Sequence, residues 1–142
     1  MSDSGTIGGR AYRERHSSGG LWEQEYGYSR AIRVGRQVLV AGCTSMVAGR
    51  VHYPSDPAAQ LRVAIETALD ALAALGAGPD DVVRTRMYVT HRRDCDAVGR
   101  VHAEYFGATP PVATMVIVSG LLHPDMRVEI EVDAMLAQDT SA

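Results

Sequence analysis

The stretch DPAAQLRVAIETALDALAALG, residues 56–76, decides the fold of this chain. Asp56 is a residue type that caps helix N-termini, and Pro57 stands at the first helical position, where its missing N–H is not needed. Apolar residues then recur at spacings of three and four, at Leu61, Ile65, Ala68, Leu69, Leu72 and Leu75. Gly76 supplies a C-terminal stop. The spacing predicts one long amphipathic helix over residues 57–75.

Two short strands are predicted just upstream of this helix. The run YGYSRAIRVGRQVLVAG, residues 26–42, has β-branched and aromatic residues on both sides of Gly35. This pattern predicts a hairpin whose turn lies at residues 34–37 and whose second strand ends at Gly42. The following residues, SMVAGRVHYPS (45–55), are predicted to form a loop.

The residues after the helix alternate with the period of a strand. VVRTRMYVT, residues 82–90, is a predicted strand, and its two faces carry Val83, Thr85, Met87 and Val89 on one side and Arg84, Arg86 and Tyr88 on the other. A second helix is predicted over about residues 93–106, with strands over 112–119 and 127–136. The order β-β-α-β-α-β-β indicates an α+β fold with both helices on one face of a sheet.

Length and composition fit one globular domain. The 142 residues are 46% hydrophobic and 22% charged, which excludes an intrinsically disordered chain. Residues 1–20 are rich in glycine and serine and are predicted to be a flexible tail. Residues 21–137 form the single domain, and residues 138–142 form a polar tail.

Charge, cysteine content and motifs restrict the partners. A net charge of −3 leaves no strong basic field for nucleic acid, and no apolar run approaches the ~18 residues of a membrane span. No signal peptide is visible, and the two cysteines are read as reduced thiols, so a cytoplasmic protein is expected. The histidines lack metal-ligand spacing and no phosphate-binding glycine loop occurs, so neither a metal nor a cofactor is expected.

The second face of the predicted sheet has no cover in this sequence. Both helices are used on one face, and the strands carry more apolar surface than solvent tolerates on the other. Such a face indicates association with further copies of the chain.

Five segments follow one another along the chain: YSRAIRVGRQVLVAG, DPAAQ, ALGAGPDDVVRTRMYVT, HAEYFGATPPVATMVIV and RVEIEVDAM. Together they resemble the Rid/YjgF family, the reactive intermediate deaminases, over about residues 25–137. The resemblance implies a chorismate-mutase-like subunit in a homotrimer, with a central β-barrel and small-molecule pockets between subunits. Family members studied as enzymes hydrolyse imines or enamines, such as 2-aminoacrylate, to the ketone and ammonia without a cofactor.

The resemblance also implies pocket positions, and this chain departs at several of them. Family deaminases hold the substrate carboxylate with an arginine where this chain has Ala113, and they have a cysteine where it has Met115, with Thr114 between the two. Ala41 and Gly99 stand at two further positions that are polar in the family. Because alanine cannot replace a bidentate arginine, the sequence predicts that 2-aminoacrylate is not the substrate.

Glu129 is the best catalytic candidate among the positions that match. A carboxylate in an apolar pocket has a raised pKa and can manage the proton of an attacking water. The alternative is a solvated face, because Arg127, Glu129, Glu131 and Asp133 alternate along one strand. Tyr28 is the predicted partner that donates a hydrogen bond, and its alternative role is that of a half-buried strand tyrosine.

The other candidate substrate-binding residues carry less specific signals. Gly42 offers backbone groups, and Cys43 follows it at the pocket edge, where a small buried residue is the alternative to a nucleophile. Arg86 is a possible carboxylate anchor, against the alternative of a surface salt bridge. His102 lies on the apolar stripe of the second helix and is predicted to be a core histidine.

These observations favour a cofactor-free enzyme that hydrolyses an imine or enamine, or carries out a related water or proton transfer, in a specialised pathway. The alternative is a trimer that binds or senses a small molecule without catalysis. A ribonuclease role is disfavoured by the acidic charge balance.

Overall fold

The structure is a computed structural model that describes residues 6–7 and 10–138. Its strands are β1 (Thr6–Ile7), β2 (Arg10–Ala11), β3 (Arg13–His16), β4 (Ala31–Val34), β5 (Gln37–Cys43), β6 (Met46–Val47), β7 (Arg50–Val51), β8 (Val82–Val89), β9 (Val112–Ile117) and β10 (Val128–Met135). Its helices are α1 (Leu21–Tyr26), α2 (Pro57–Ala74) and α3 (Cys95–Phe106), with 3₁₀ turns at Pro79–Asp81 and Arg92–Asp94.

A six-stranded sheet of order β3-β4-β5-β10-β8-β9 forms the centre of the fold. All neighbouring strands are antiparallel except β8 and β9, which are parallel and joined by α3, the kind of crossover a parallel pair requires. The predicted order β-β-α-β-α-β-β is confirmed by β4, β5, α2, β8, α3, β9 and β10. Because β10 lies between β5 and β8, its residues pair with one strand that precedes α2 and with one strand that follows it.

Helix α2 forms where the sequence predicts it. The Asp56 side chain accepts a hydrogen bond from the Ala59 N–H at 3.0 Å, and the helix ends at Ala74. The Arg33 guanidinium donates to the Leu75 carbonyl at 3.1 Å, so a residue of β4 satisfies the helix C-terminus. The apolar face of α2 is fully buried with strand residues and with α3, at Leu61, Ala64, Ile65, Ala68, Leu72, Val98 and Val101.

The prediction of a flexible tail over residues 1–20 is wrong for residues 13–16. These residues form β3, which pairs with β4 from Arg13↔Val34 to His16↔Ala31. The charged sequence RERH gives no apolar signal, because an edge strand is held mainly by main-chain hydrogen bonds. Residues 1–5, 8–9 and 139–142 of the two predicted tails lie outside the described residues.

Two further local predictions are wrong. The predicted loop 45–55 contains a small hairpin, β6–β7, whose two-residue turn has positive φ at Ala48 and Gly49 (54° and 80°). Val83 does not face the core and is 46% exposed. The β8–β10 register shifts at this point, and Val82 takes the inward position instead.

The face of the sheet opposite α2 and α3 is more polar than the sequence predicts. Leu39 is 44% exposed there, but its neighbours include an Arg86–Asp133 ion pair at 3.4 Å and a Tyr88–Glu131 hydrogen bond. Within residues 10–138, no helix has the length and apolarity needed to cross a membrane.

Candidate functional site

A cavity of about 490 Å³ lies beside the end of β5, a size that small-molecule sites commonly have. One wall is the segment from His16 to Trp22, and another is the β6–β7 turn. The remaining lining residues are Tyr28, Arg30, Gly42, Cys43, Thr44, Thr67, Asp70, Leu122, Met126 and Glu129. Glu129, Tyr28, Gly42 and Cys43, four of the residues predicted from the sequence, therefore line one cavity.

Glu129 is held directly against Gly42. A Cβ added at Gly42 would lie 2.9 Å from the Glu129 Cδ and would overlap its Oε2, so the missing side chain makes the room for this carboxyl. Burial raises the pKa of Glu129, nearby Glu131 raises it further, and the Arg30 charge opposes both. The result is a carboxyl that protonates more readily than an ordinary glutamate, which is a useful property for proton transfer near neutral pH.

Arg30 is a cavity residue that the sequence analysis missed. It is 8% exposed, and its Nη1 donates to the carbonyls of Gly42 and, at 3.5 Å, Ala41. Its Nε lies 3.6 Å from the Glu23 carboxylate, which is also buried. The one signal in the sequence is its position two residues after Tyr28, directly before β4.

Glu23 fixes the wall segment to Arg30. Its carboxylate accepts hydrogen bonds from the N–H groups of Ser18 (3.2 Å) and Gly20 (3.0 Å) and from the Ser18 hydroxyl. Burial by itself raises the pKa of Glu23, but the hydrogen bonds of Ser18, Ser17 and Gly20 outweigh it and hold the pKa below its usual value. Glu23 therefore stays ionised and pairs with the Arg30 charge.

Cys43 is a neutral thiol in this arrangement. Burial raises its pKa to about 11, although the nearby Arg30 guanidinium opposes the shift. Its Sγ lies 3.3 Å from the Ala41 carbonyl, to which the thiol donates. Because only the thiolate is a good nucleophile, Cys43 fits the alternative role of a small lining residue.

Tyr28 lies at the cavity beside Arg30. Its side chain is 38% exposed, and the Arg30 Cζ lies 5.6 Å from its ring centroid, a cation–π contact. This contact orients the ring and leaves the hydroxyl as a hydrogen-bonding group.

The remaining predicted site residues do not reach this cavity within one chain. Arg86 pairs with Asp133 on the face of the sheet opposite α2 and α3. This contact agrees with the alternative role of Arg86, a surface salt bridge. Ala113, Thr114 and Met115 lie on β9, an edge strand separated from β10 by β8. Ala113 is in register with Thr85, and Thr114 with Arg86, so consecutive β9 residues face opposite sides of the sheet.

His102 has the predicted role of a core histidine. Its Nε2 is 2.8 Å from the Thr85 hydroxyl, and its ring lies 4.9 Å from that of Phe106. Burial lowers the pKa of His102 and favours the neutral ring. Among the described residues, no three His, Cys, Asp or Glu side chains are grouped so that they could hold a metal ion.

The fold and the cavity together define a single-domain α+β protein with a small-molecule-sized pocket at one end of its sheet. The family model described as Endoribonuclease L-PSP matches residues 22–136, and the chain therefore belongs to this family, which is the YjgF/Rid family.

Relatives of known structure and sequence agree with this assignment. The crystal structure of Rv2704 from Mycobacterium tuberculosis, described as a member of the YjgF/YER057c/UK114 family, is 45% identical, has a TM-score of 0.81 and is matched over 88% of this chain and 100% of its own. An uncharacterized protein of Streptomyces coelicolor is 41% identical over 84% of this chain and 90% of its own. A RutC family protein of Pyrococcus horikoshii is 32% identical over 73% of this chain and 82% of its own.

Proposed function

We propose that this protein hydrolyses a small imine or enamine without a cofactor. The observation that carries the proposal is the half-buried Glu129 side chain, whose carboxyl contacts Gly42 in a small-molecule-sized cavity and has a raised pKa. Family membership supports the same chemistry, because the resemblance to reactive intermediate deaminases extends to Glu129, Tyr28 and Gly42.

In the proposed reaction, a water attacks the carbon of the C=N bond. Glu129 accepts one proton of that water and delivers it to the nitrogen, which gives a carbinolamine. Glu129 then transfers the proton of the new hydroxyl group to the nitrogen, so the C–N bond breaks, the nitrogen leaves as ammonia or an amine, and the carbon becomes a carbonyl. The balance is R₂C=NR′ + H₂O → R₂C=O + R′NH₂, and an enamine first gains a proton on carbon. The Tyr28 hydroxyl donates a hydrogen bond to the polar group of the substrate.

The substrate is proposed to differ from 2-aminoacrylate. Ala113 cannot hold a carboxylate, and Arg86 is engaged with Asp133 away from the cavity. No other part of the proposed mechanism needs a carboxylate on the substrate.

The active form is proposed to be a homotrimer in which a neighbouring copy brings its β9 to the cavity. Exposed apolar side chains on β9 support this, with Val112 60%, Val116 41% and Ile117 42% exposed. Light scattering at micromolar concentration should give three times the chain mass, since permanent interfaces are large. A compact monomer would contradict the assembly.

The proposed reaction is tested with preformed imines of methylamine, followed by loss of the C=N absorbance. The wild-type protein should accelerate hydrolysis of an imine made from a simple aldehyde. Glu129→Gln should lower kcat/KM by about 10²–10⁴-fold, the range for a positioned general base. Glu104→Gln, which changes an exposed glutamate paired with Arg62, should leave the rate unchanged.

The alternative function is a trimer that binds a small molecule without turning it over. The loss of the family arginine at Ala113 favours it, because a binding protein does not need an oriented substrate carboxylate. Binding of a probe in the cavity with no acceleration of any imine would support this alternative and contradict the enzyme proposal.

A further inference from the structure

The charges on the cavity wall do not match a carboxylate-bearing ligand. Among the described lining residues, the charged side chains are Arg30, Asp70 and Glu129, and His16, Tyr28 and Cys43 are further polar side chains. One guanidinium therefore faces two carboxyl groups before any ligand enters.

The Arg30 charge is already matched inside the protein. Glu23 lies 3.6 Å from its Nε, and the side chains of Arg30 and Glu23 are only 10% and 3% exposed. Its Nη1 is directed at the Gly42 carbonyl, and its Nε also donates to Ser18 at 3.4 Å. A ligand carboxylate would share the Arg30 charge with Glu23, and it would weaken the pairing that stabilises the buried Glu23 carboxylate.

Glu129 and Asp70 are then the charges that a ligand meets. Glu129 lies on the β10 side of the cavity and Asp70 is an exposed residue of α2, so they approach it from different elements. The wall segment adds Trp22, and an indole face attracts cations. The lining also includes the apolar residues Leu21, Met46, Val47, Leu122 and Met126.

We infer that this cavity takes a small organic cation, a protonated imine or a primary ammonium group on an apolar body without a carboxylate. The inference deepens the proposed function by naming its substrate class. A protonated imine is the form whose carbon is most open to water, and an ionised Glu129 stabilises that positive charge while it accepts the proton of the water. The same site then excludes 2-imino acids, because the carboxylates of Glu129 and Asp70 would repel the carboxylate of such a substrate.

The test compares three probes of one shape: isobutylammonium, the neutral isobutyramide and isobutyrate. Each is titrated into ¹⁵N-labelled protein at about pH 8, where imidazole is neutral. The amide signals of Gly42, Cys43 and Thr44 report binding. Isobutylammonium should bind most tightly and isobutyrate about tenfold or more weakly, a ratio that corresponds to roughly 1.4 kcal/mol.

Charge-removing variants show whether the two acids cause the preference. Glu129→Gln and Asp70→Asn should each weaken isobutylammonium binding by about threefold or more while leaving isobutyramide binding unchanged. Asp96→Asn is the matched control, because Asp96 pairs with Arg100 on the exposed surface of α3 and does not line the cavity. The amide spectrum of each variant checks that it remains folded.

Three results would overturn the inference: isobutyrate binding as tightly as isobutylammonium, no isobutylammonium binding up to about 50 mM, or ammonium binding that neither variant weakens. The proposed reaction is judged separately, by imine hydrolysis. Cation binding without hydrolysis would contradict the proposed enzymatic reaction and leave this inference standing. Hydrolysis of a carboxylate-bearing imine in preference to a neutral one would support the proposed reaction and contradict this inference.

Discussion

Gly42→Ala perturbs the contact on which the proposed chemistry depends. The added Cβ would overlap the Glu129 Oε2 and lie 2.9 Å from its Cδ, whereas ordinary van der Waals contact begins at 3.4 Å. The carboxyl must therefore move by on the order of 1 Å, and a displacement of that size at a reacting group lowers rates about 10²-fold. We expect kcat/KM for imine hydrolysis to fall by at least this factor.

The stability of Gly42→Ala should change much less than its activity. The group that must move is the end of a flexible side chain, so overpacking costs about 1–2 kcal/mol. Replacing glycine also restricts the unfolded chain and returns about 0.4–1 kcal/mol. The net loss corresponds to a few degrees in Tm at a fixed protein concentration, by thermal unfolding.

Two comparisons make this prediction specific to Glu129. Gly120→Ala is the matched control, because no atom lies within 4 Å of its added Cβ and its φ is not in the left-handed region. The double variant Gly42→Ala/Glu129→Gln should be no slower than Glu129→Gln alone, since both changes remove the same group. An unchanged rate for Gly42→Ala, or fully additive losses in the double variant, would refute the reasoning.

Three further predictions follow from the same residues. Because burial raises the folded-state pKa of Glu129, the stabilising contribution of this residue is complete below the ordinary glutamate pKa of about 4.3 and is lost as the pH rises through the folded-state pKa. The free energy of unfolding of the wild type should therefore fall relative to that of Glu129→Gln as the pH rises above about 4.3, and a constant difference would contradict the burial. Arg30→Gln leaves Glu23 buried without its partner and should lower the free energy of unfolding by about 3 kcal/mol in chemical denaturation, whereas Arg62→Gln at an exposed pair should have no measurable effect. With 2-aminoacrylate as substrate, the protein should be about 30- to 1,000-fold slower than an arginine-bearing relative assayed beside it, and equal rates would mean that another group holds the carboxylate.

The elements that could be predicted from the sequence are those whose signal is local. Helix α2 carries its own cap and an apolar stripe of period 3.6, and the β4–β5 hairpin has β-branched residues on both sides of Gly35. Strand β3 was missed because main-chain bonds to β4 hold it and its side chains are charged. The inward position of Val82 depends on a register shift against β10, which no local pattern in β8 reveals.

The candidate site divides in the same way. Glu129, Tyr28 and Gly42 could be placed through the matching segments, and Cys43 because it directly follows Gly42. All four residues line the cavity. Arg30 could not be placed in the cavity from the sequence, because an arginine is expected at the surface unless its partner is known. That partner is Glu23, in a helix of six residues that sequence periodicity does not reveal.

A crystal structure with a bound amine would test the central claim most directly. N-Methylisobutylamine is a stable cation with the shape of a protonated imine, and it is soaked into or crystallised with the wild-type protein. The account predicts an ordered molecule in the cavity over Gly42, with its nitrogen at hydrogen-bond distance, about 3 Å, from the Glu129 carboxyl. A molecule bound elsewhere, or one whose nitrogen is directed away from Glu129 and Asp70, would contradict it.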